Sequence, residues 1–167
     1  MWNKLKESKG KKGISSLTMI VGVLIAFVAI GGLSDLTILQ TKFSALSSQS
    51  SYVARVVARQ GGLQNTRIDN YHGRYVTTQE LYTNILHGMQ QSGIAENEWV
   101  LKVNGEEILP HTVIPVLNYG DKARVELTIE YDWSVTSNFV PLDMTNTRTN
   151  VKNIVTTHRI RDGGFSE

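Results

Sequence analysis

Residues Ile14 to Leu33 read ISSLTMIVGVLIAFVAIGGL, an apolar run without a single charged side chain. As an α-helix rising about 1.5 Å per residue, this run matches the roughly 30 Å hydrocarbon core of a bilayer. It therefore predicts one transmembrane helix over residues 14–34, behind a leader of residues 1–13. A cleaved secretory signal is the alternative, although its apolar core is typically about 7–15 residues long and ends at a small-residue cleavage site.

The charge on the two sides of this run predicts its orientation. The leader carries five lysines and one glutamate, a net charge of +4, whereas the whole chain carries +2, so the rest carries −2. Lysines beside a first span are retained in the cytoplasm. We therefore expect a single-pass protein of the cell membrane with a cytoplasmic N-terminus and an extracytoplasmic C-terminal domain. That domain has no basic excess, so nucleic acid is not expected as a partner.

The helical pattern continues beyond the membrane, as far as the glycine pair Gly61-Gly62 that predicts its end. Apolar residues recur there at steps of three and four, the period of one helix face. We therefore expect one helix of about 45 residues, roughly 70 Å long, whose extracytoplasmic stem covers residues 35–61. A lone stalk or a coiled-coil dimer is the alternative. The residues expected to pack the stem against the exported domain are Leu36, Leu39, Phe43, Leu46, Val53 and Val57.

Small residues mark one side of the apolar run. They are Thr18, Gly22, Ala26 and Ala29. At this spacing, two helix backbones can approach closely within a membrane. The pattern predicts that this face packs against neighbouring helices. Asp35, just past the run, is interpreted either as an interfacial charge in water or as half of a salt bridge to a neighbouring subunit.

Residues 62–167 are expected to form a small exported α+β domain. Thr77 and Glu80 match a capping box, which predicts a helix over residues 78–91 that stops near Gly93. Alternating apolar and polar or charged residues over 123–133 predict an antiparallel strand with one face in water. The other predicted features are strands at 99–103, 107–109, 113–117 and 151–160, a turn at Asn104-Gly105, and an exposed loop over 137–150. The fold class is thus α+β, a long N-terminal transmembrane and amphipathic helix packed on a small antiparallel sheet domain.

No residue pattern in the chain calls for catalysis. The four histidines, His72, His87, His111 and His158, have no second ligand at a spacing typical of a metal site. Cysteine is absent, which excludes disulfides, thiolate catalysis and cysteine-ligated metals. We expect neither an enzyme nor a cofactor. Two rival interpretations are a membrane-anchored adhesion or ligand-binding module with a concave site around Trp99, Tyr131 and Trp133, and a membrane-tethered hydrolase whose acids and histidines converge.

The layout of the chain from Met1 to about Gln60 resembles that of type IV pilin-like proteins. The closest likeness is to TadE-like minor pilins (pseudopilins) and to the pilin-like proteins of Gram-positive conjugative elements. A basic leader ends in Lys11-Lys12-Gly13, and an apolar helix continues as an amphipathic stem into a small α+β domain. Residues 50–59 have the Ser-Ser-x-Val-Ala-Arg-x-Val-Ala-Arg character of the segment that follows the span in TadE-like chains.

The resemblance implies a processing site and a role. In the family a prepilin peptidase cuts after a glycine on the cytoplasmic side, and Gly13 before Ile14 is the matching position. The family usually has glutamate at the fifth mature residue, where this chain has Thr18, and this departure favours a minor or accessory subunit. The implied function is assembly in a type IV (Tad-like) pilus or in a secretion or conjugation apparatus, as a homo- or hetero-oligomer. The implied partners are membrane lipid, other pilin-like subunits and envelope assembly proteins, and the implied location includes a surface filament.

Overall fold

The computed structural model describes residues 2–67, 74–115, 117–139 and 145–157, with side chains from residue 16 onward. Helix α1 runs over Trp2–Gln60 and has 59 residues. The predicted length of about 45 residues is wrong, because the helix already begins in the leader, where lysine, glutamate and leucine favour helix. The predicted end is confirmed. Gly61 has a φ of +73°, and its N–H donates to the Val57 carbonyl at 2.9 Å, as in a glycine helix cap.

The chain divides into two compact units, and α1 contributes to both. The apolar unit comprises Met1–Leu39 and Asp132–Thr145, and the sheet unit comprises Gln40–Tyr131 and Asn146–Glu167. The division within α1 therefore falls after Leu39, whereas the sequence predicts a change of domain at residues 61–62. Residues 40–60 belong with the sheet because their apolar side chains form part of its core.

Among its described residues, the sheet unit contains the second part of α1, a 3₁₀ turn at Glu96–Glu98, one further α-helix and four strands. Their bounds are α2 Thr78–Gln91, β1 Trp99–Val103, β2 Glu106–Glu107, β3 Lys122–Tyr131 and β4 Asn146–Val155. The strands are antiparallel and lie in the order β2-β1-β3-β4. The predicted capping box is formed, since the Thr77 hydroxyl accepts from Glu80 N at 3.2 Å and the Glu80 carboxylate accepts from Thr77 N at 3.4 Å. The α+β class is confirmed.

Strand β1, the turn after it and most of β3 agree with the prediction. Asn104 and Gly105 both have positive φ, at 52° and 86°, which suits a two-residue hairpin turn. Strand β3 ends at Tyr131, two residues earlier than predicted. Strand β2 contains two residues and starts at Glu106, so the predicted strand at 107–109 is wrong in both bounds.

Two other predicted strands differ more. In the stretch 113–117, of which residue 116 is not described, pairing is limited to one isolated bridge between Ile114 and Leu63. Pro115 cannot donate a ladder hydrogen bond, so a regular strand is disfavoured there. Strand β4 begins at Asn146, inside the predicted loop of 137–150. Threonine pairs favour this register, and the hydroxyls of Thr128 and Thr149 hydrogen-bond across β3 and β4 at 2.8 Å. Strand β4 ends at Val155, and the described residues Thr156 and Thr157 follow it outside any strand, so the end predicted at residue 160 is also wrong.

The core of the sheet unit lies between α1, α2 and one face of the sheet. Its α1 side chains include Leu46, Val53 and Val57, each at most 1% exposed, and Phe43 packs partly buried against them. The side chains that complete it include Leu81, Ile85 and Met89 of α2 and Leu101, Val125, Leu127 and Ile129 of the sheet. The stem packing expected at Leu36 is wrong, since this residue is 53% exposed. Leu39 is buried but belongs to the apolar unit. Their part of α1 precedes the residues that cover the sheet.

Candidate membrane and assembly surface

The apolar part of α1 presents an almost fully exposed surface. Its large side chains include Leu17, Met19, Ile20, Leu24, Ile25, Phe27 and Ile30, all more than half exposed. Soluble proteins rarely leave so large a continuous apolar surface in water, because its burial is the main driving force of folding. By length and composition, this helix is a candidate to cross a membrane. The surface is thus consistent with a membrane anchor.

The predicted helix-packing face lies on this exposed surface. Thr18, Gly22, Ala26 and Ala29 are all exposed. A Cβ atom added at Gly22 would meet no other atom within 4 Å. A second helix backbone could therefore approach closely at this glycine, as the small-residue spacing predicts. The candidate processing position, Gly13 before Ile14, lies in helical backbone.

A short irregular segment of the apolar unit packs on the end of this helix. We call residues Trp133–Phe139 the outer segment. It contains one turn of 3₁₀-helix at Thr136–Asn138, and it follows the end of strand β3. The sequence predicts that Trp133 ends a strand and that residues 137–139 lie in an exposed loop, with no regular structure predicted between them. The contacts below instead hold the segment against α1.

Asp35 is the polar contact between α1 and the outer segment. Its carboxylate accepts hydrogen bonds from the backbone N–H groups of Val135 at 2.9 Å and Thr136 at 2.7 Å. The residue is 1% exposed. The prediction that Asp35 lies in water is therefore wrong, because the carboxylate is buried and caps the 3₁₀ turn of its own chain. The salt bridge to a neighbouring subunit stays a prediction.

The electrostatics of Asp35 reflect two opposing effects. Burial favours the neutral acid and by itself would raise the pKa, whereas the hydrogen bonds from Thr136 and Val135 favour the carboxylate. The hydrogen bonds together prevail, so the pKa of Asp35 lies below its ordinary value. The carboxylate is therefore charged at neutral pH, and it compensates the N-terminal end of the 3₁₀ turn.

Apolar contacts also hold the outer segment against α1. They lie one and two helical turns before Asp35, within the apolar run. A Cβ atom added at Gly31 would lie 3.5 Å from side-chain atoms of both Val135 and Phe139, so this glycine lets the segment pack close to the helix backbone. The ring of Phe139 stacks on that of Phe27 with centroids 6.0 Å apart and planes at 21°. The sequence does not predict this contact. The one sequence feature that points to it is an uncharged segment that contains Trp133 and Phe139.

Two polar contacts between the stem and the rest of the sheet unit are not predicted by the sequence. The amide of Gln60 donates to the Val76 carbonyl at 2.9 Å and accepts from the Val76 N–H at 2.8 Å, which fixes the chain before α2. The ammonium group of Lys42, a largely buried residue, lies 3.6 Å from the Glu98 carboxylate. Both contacts join α1 to the rest of the sheet unit.

The two rival functions require histidines and acids that converge, or an open aromatic site. His87 and His111 are exposed on separate elements, and His72 and His158 lie outside the described residues. Within the described parts of the chain, no three His, Asp or Glu side chains form a group that could hold a metal. Trp99, expected in an open aromatic site, is 6% exposed and packs in the core against Tyr82, with ring centroids 5.1 Å apart.

Comparisons with protein-family models, with curated proteins and with solved structures give no match for this chain.

Proposed function

We propose that the chain is a non-enzymatic, pilin-like, single-pass envelope protein, a minor or accessory subunit of a type IV (Tad-like) pilus or of a secretion or conjugation apparatus. One observation carries the proposal. The exposed apolar part of α1 has the length of a bilayer and continues without interruption into residues that form the core of a small α+β unit. A subunit that assembles through its first helix and presents a folded domain outside the membrane has this construction.

The charge distribution supports a cytoplasmic leader. Its net charge of +4 precedes the apolar run, and basic residues on the cytoplasmic side orient a first span. In this orientation the sheet unit is extracytoplasmic. Its partners in the proposal are membrane lipid around the span and other pilin-like or envelope assembly proteins along the face that contains Gly22.

An adhesion or ligand-binding module is less well supported. That function needs an open site for a ligand, whereas Trp99 is sealed in the core and the ring of Tyr131 packs edge-on against Phe43 at 5.1 Å. A membrane-tethered hydrolase would need acids and histidines to converge, and His87 and His111 lie on separate elements.

The test is to determine the mature N-terminus by mass spectrometry, in separate membrane and sheared-surface fractions of cells. A mature start at Ile14, with protein in the sheared fraction, is the result expected for a processed filament subunit. Intact Met1 found in membranes alone would overturn the filament role and leave a permanent single-pass component.

A further inference from the structure

We propose that the outer segment, Trp133–Phe139, is a second membrane contact against the last turns of the span, with its backbone in the interfacial layer of the bilayer and the Phe139 side chain reaching the lipid chains. Its ligand is lipid. The inference rests on the membrane insertion of α1 that is part of the proposed function, but it does not depend on assembly into a filament.

The contacts along α1 give the depth of the segment. Phe27 lies six residues before Leu33, the end of the apolar run, and Gly31 lies two residues before it. At about 1.5 Å per residue, these positions are roughly 9 Å and 3 Å inside the outer end of the run, and half of the hydrocarbon core is about 15 Å thick. Phe139 stacks on Phe27. If the run spans the bilayer, the ring of Phe139 lies at the depth of lipid chains.

The backbone of the segment is suited to a medium without water. Five consecutive N–H groups, those of residues 135–139, have acceptors within the apolar unit. The first two donate to Asp35, and the next three donate to the carbonyls of Trp133, Val135 and Thr136. The Ser134 carbonyl accepts from the Ser137 hydroxyl and from the Asn138 amide. Unpaired backbone groups are costly away from water, so the pairing of these groups lowers the cost of placing the segment in the membrane interface.

The side chains of the segment have the composition of a membrane interface. Residues 133–139 include no charged residue, and Phe139 is 49% exposed beside a similarly exposed Phe27. Tryptophan, present here as Trp133, is enriched where the apolar core meets the headgroups. The exposed rings continue the apolar surface of the span itself, so the medium that surrounds the span also covers them. This continuity identifies the occupant as lipid.

The test uses depth-dependent fluorescence quenching of the full chain, which has no cysteine of its own. Single variants Ser134→Cys, Ser48→Cys and Leu24→Cys are labelled with a polarity-sensitive fluorophore and reconstituted in phosphatidylcholine–phosphatidylglycerol vesicles. Some of the lipids carry a spin-label quencher near the headgroup, and others carry it deeper in the chain. Ser48 is the matched control, because it is an exposed serine on the same helix, several turns beyond Leu33. Leu24 reports on the middle of the span.

The proposal predicts loss of fluorescence at positions 134 and 24 and none at position 48, with the shallow quencher more effective at 134. The substitution Gly31→Leu, which adds atoms where Val135 and Phe139 pack, should reduce the loss at 134. The matched change Gly32→Leu, made where an added Cβ meets nothing within 4 Å, should not.

Quenching at 24 with none at 134 would overturn the inference and leave the membrane anchor intact. Absence of quenching at all three positions would show that α1 does not insert, and the proposed function would then fail together with the inference. A third outcome is a probe at position 134 that is shielded from water but not quenched by the lipid quenchers, and whose fluorescence changes when the protein is diluted. This outcome would identify a second copy of the chain as the occupant and would likewise overturn the inference.

Discussion

The Asp35 side chain fixes the position of a segment that is distant in sequence. It lies two residues past the apolar run, where an acidic residue in water would carry no structural role. Here its carboxylate accepts hydrogen bonds from the N–H groups of Val135 and Thr136 in the outer segment, and it is buried. A charged acceptor stabilises such groups more than a neutral one, and buried donors left without an acceptor are costly. Asp35 therefore holds the outer segment on α1.

We expect Asp35→Ala to destabilise the attachment of the outer segment by about 1–3 kcal/mol, because two buried N–H groups lose their acceptor. Faster hydrogen exchange at the amides of Val135 and Thr136, in micelles, would measure this loss. The neighbouring Asp132 is exposed, so Asp132→Ala is the control and should leave both rates unchanged.

The same carboxylate predicts a dependence on pH. Because the folded-state pKa of Asp35 is lowered, its stabilisation is fully present above its ordinary value near 3.8, and it is lost as the pH falls through the lower folded-state value. Protection of the two amides should therefore stay constant from neutral pH down to about pH 5 and fall only below about pH 4. Loss of protection already near pH 6, or equal protection in Asp35→Ala, would contradict the role assigned to this residue.

At the scale of elements, α1 has two different surfaces along one continuous helix. From Ser16 to Ile30 nearly every side chain is exposed, whereas Leu46, Val53 and Val57 are sealed in the core of the sheet unit. The small-residue face belongs to the first, exposed surface, and the second surface is covered by α2 and the sheet. Association with other copies or partners is therefore expected from the first surface alone.

We expect Gly22→Leu to weaken association between chains by about tenfold, roughly 1.4 kcal/mol, since a branched side chain keeps a partner backbone at a distance. Ala26→Leu should act in the same way. Energy transfer between labelled copies in micelles measures the effect, and the thermal unfolding of the sheet unit should stay unchanged.

Gly32→Leu is the control for this prediction. Gly32 is also open around its Cβ position, but at 3.6 residues per turn it points about 80° away from Gly22. Association as strong in Gly22→Leu and Ala26→Leu as in the unsubstituted chain would rule out this face as the packing surface. An equal loss in Gly32→Leu would show that the effect is not confined to one face.

In the molecule as a whole, the boundary between the units crosses α1. It separates a part of the helix whose apolar side chains are mostly exposed from a part whose apolar side chains are buried in a core. Residues 40–60 supply one side of the hydrophobic core of the sheet unit, so this helix is as much a part of the folded domain as α2. The stretch Met1–Leu39 instead shares its unit with the outer segment. A domain border drawn at the helix end, after Gly61, would divide the core.

We therefore expect a chain that begins at Gln40 to fold cooperatively and a chain that begins at Gly61 not to fold. The shorter chain lacks Leu46, Val53 and Val57, whose burial contributes roughly 1.5–3 kcal/mol each, against a total stability of typically about 5–15 kcal/mol for a domain. Near-ultraviolet circular dichroism and thermal unfolding distinguish the two outcomes. A cooperative transition in the shorter chain would show that the stem is dispensable.

The features that could be predicted from the sequence are those that depend only on residues close together in the chain. Periodicity predicts the long helix and the position of α2, the capping residues Thr77 and Glu80 predict where α2 begins, and the alternation along residues 123–133 predicts β3, which ends two residues earlier. The glycine exit at Gly61 is equally local, because it depends on the φ of one residue. Such signals can be read without the fold, since each arises within a few residues of chain.

The position of the outer segment and the burial of individual stem residues depend on contacts between residues distant in sequence. Asp35 and Val135 are 100 positions apart, and no local pattern relates them. The start of β4 at Asn146 depends on β3 as a partner, because Asn and Thr residues in isolation favour turns as readily as strands. Leu36 is exposed and Leu46 is buried although both lie on the same apolar stripe, so the stripe alone does not show which of them is covered. Burial is a property of what packs against a side chain, and that partner is set by contacts distant in sequence.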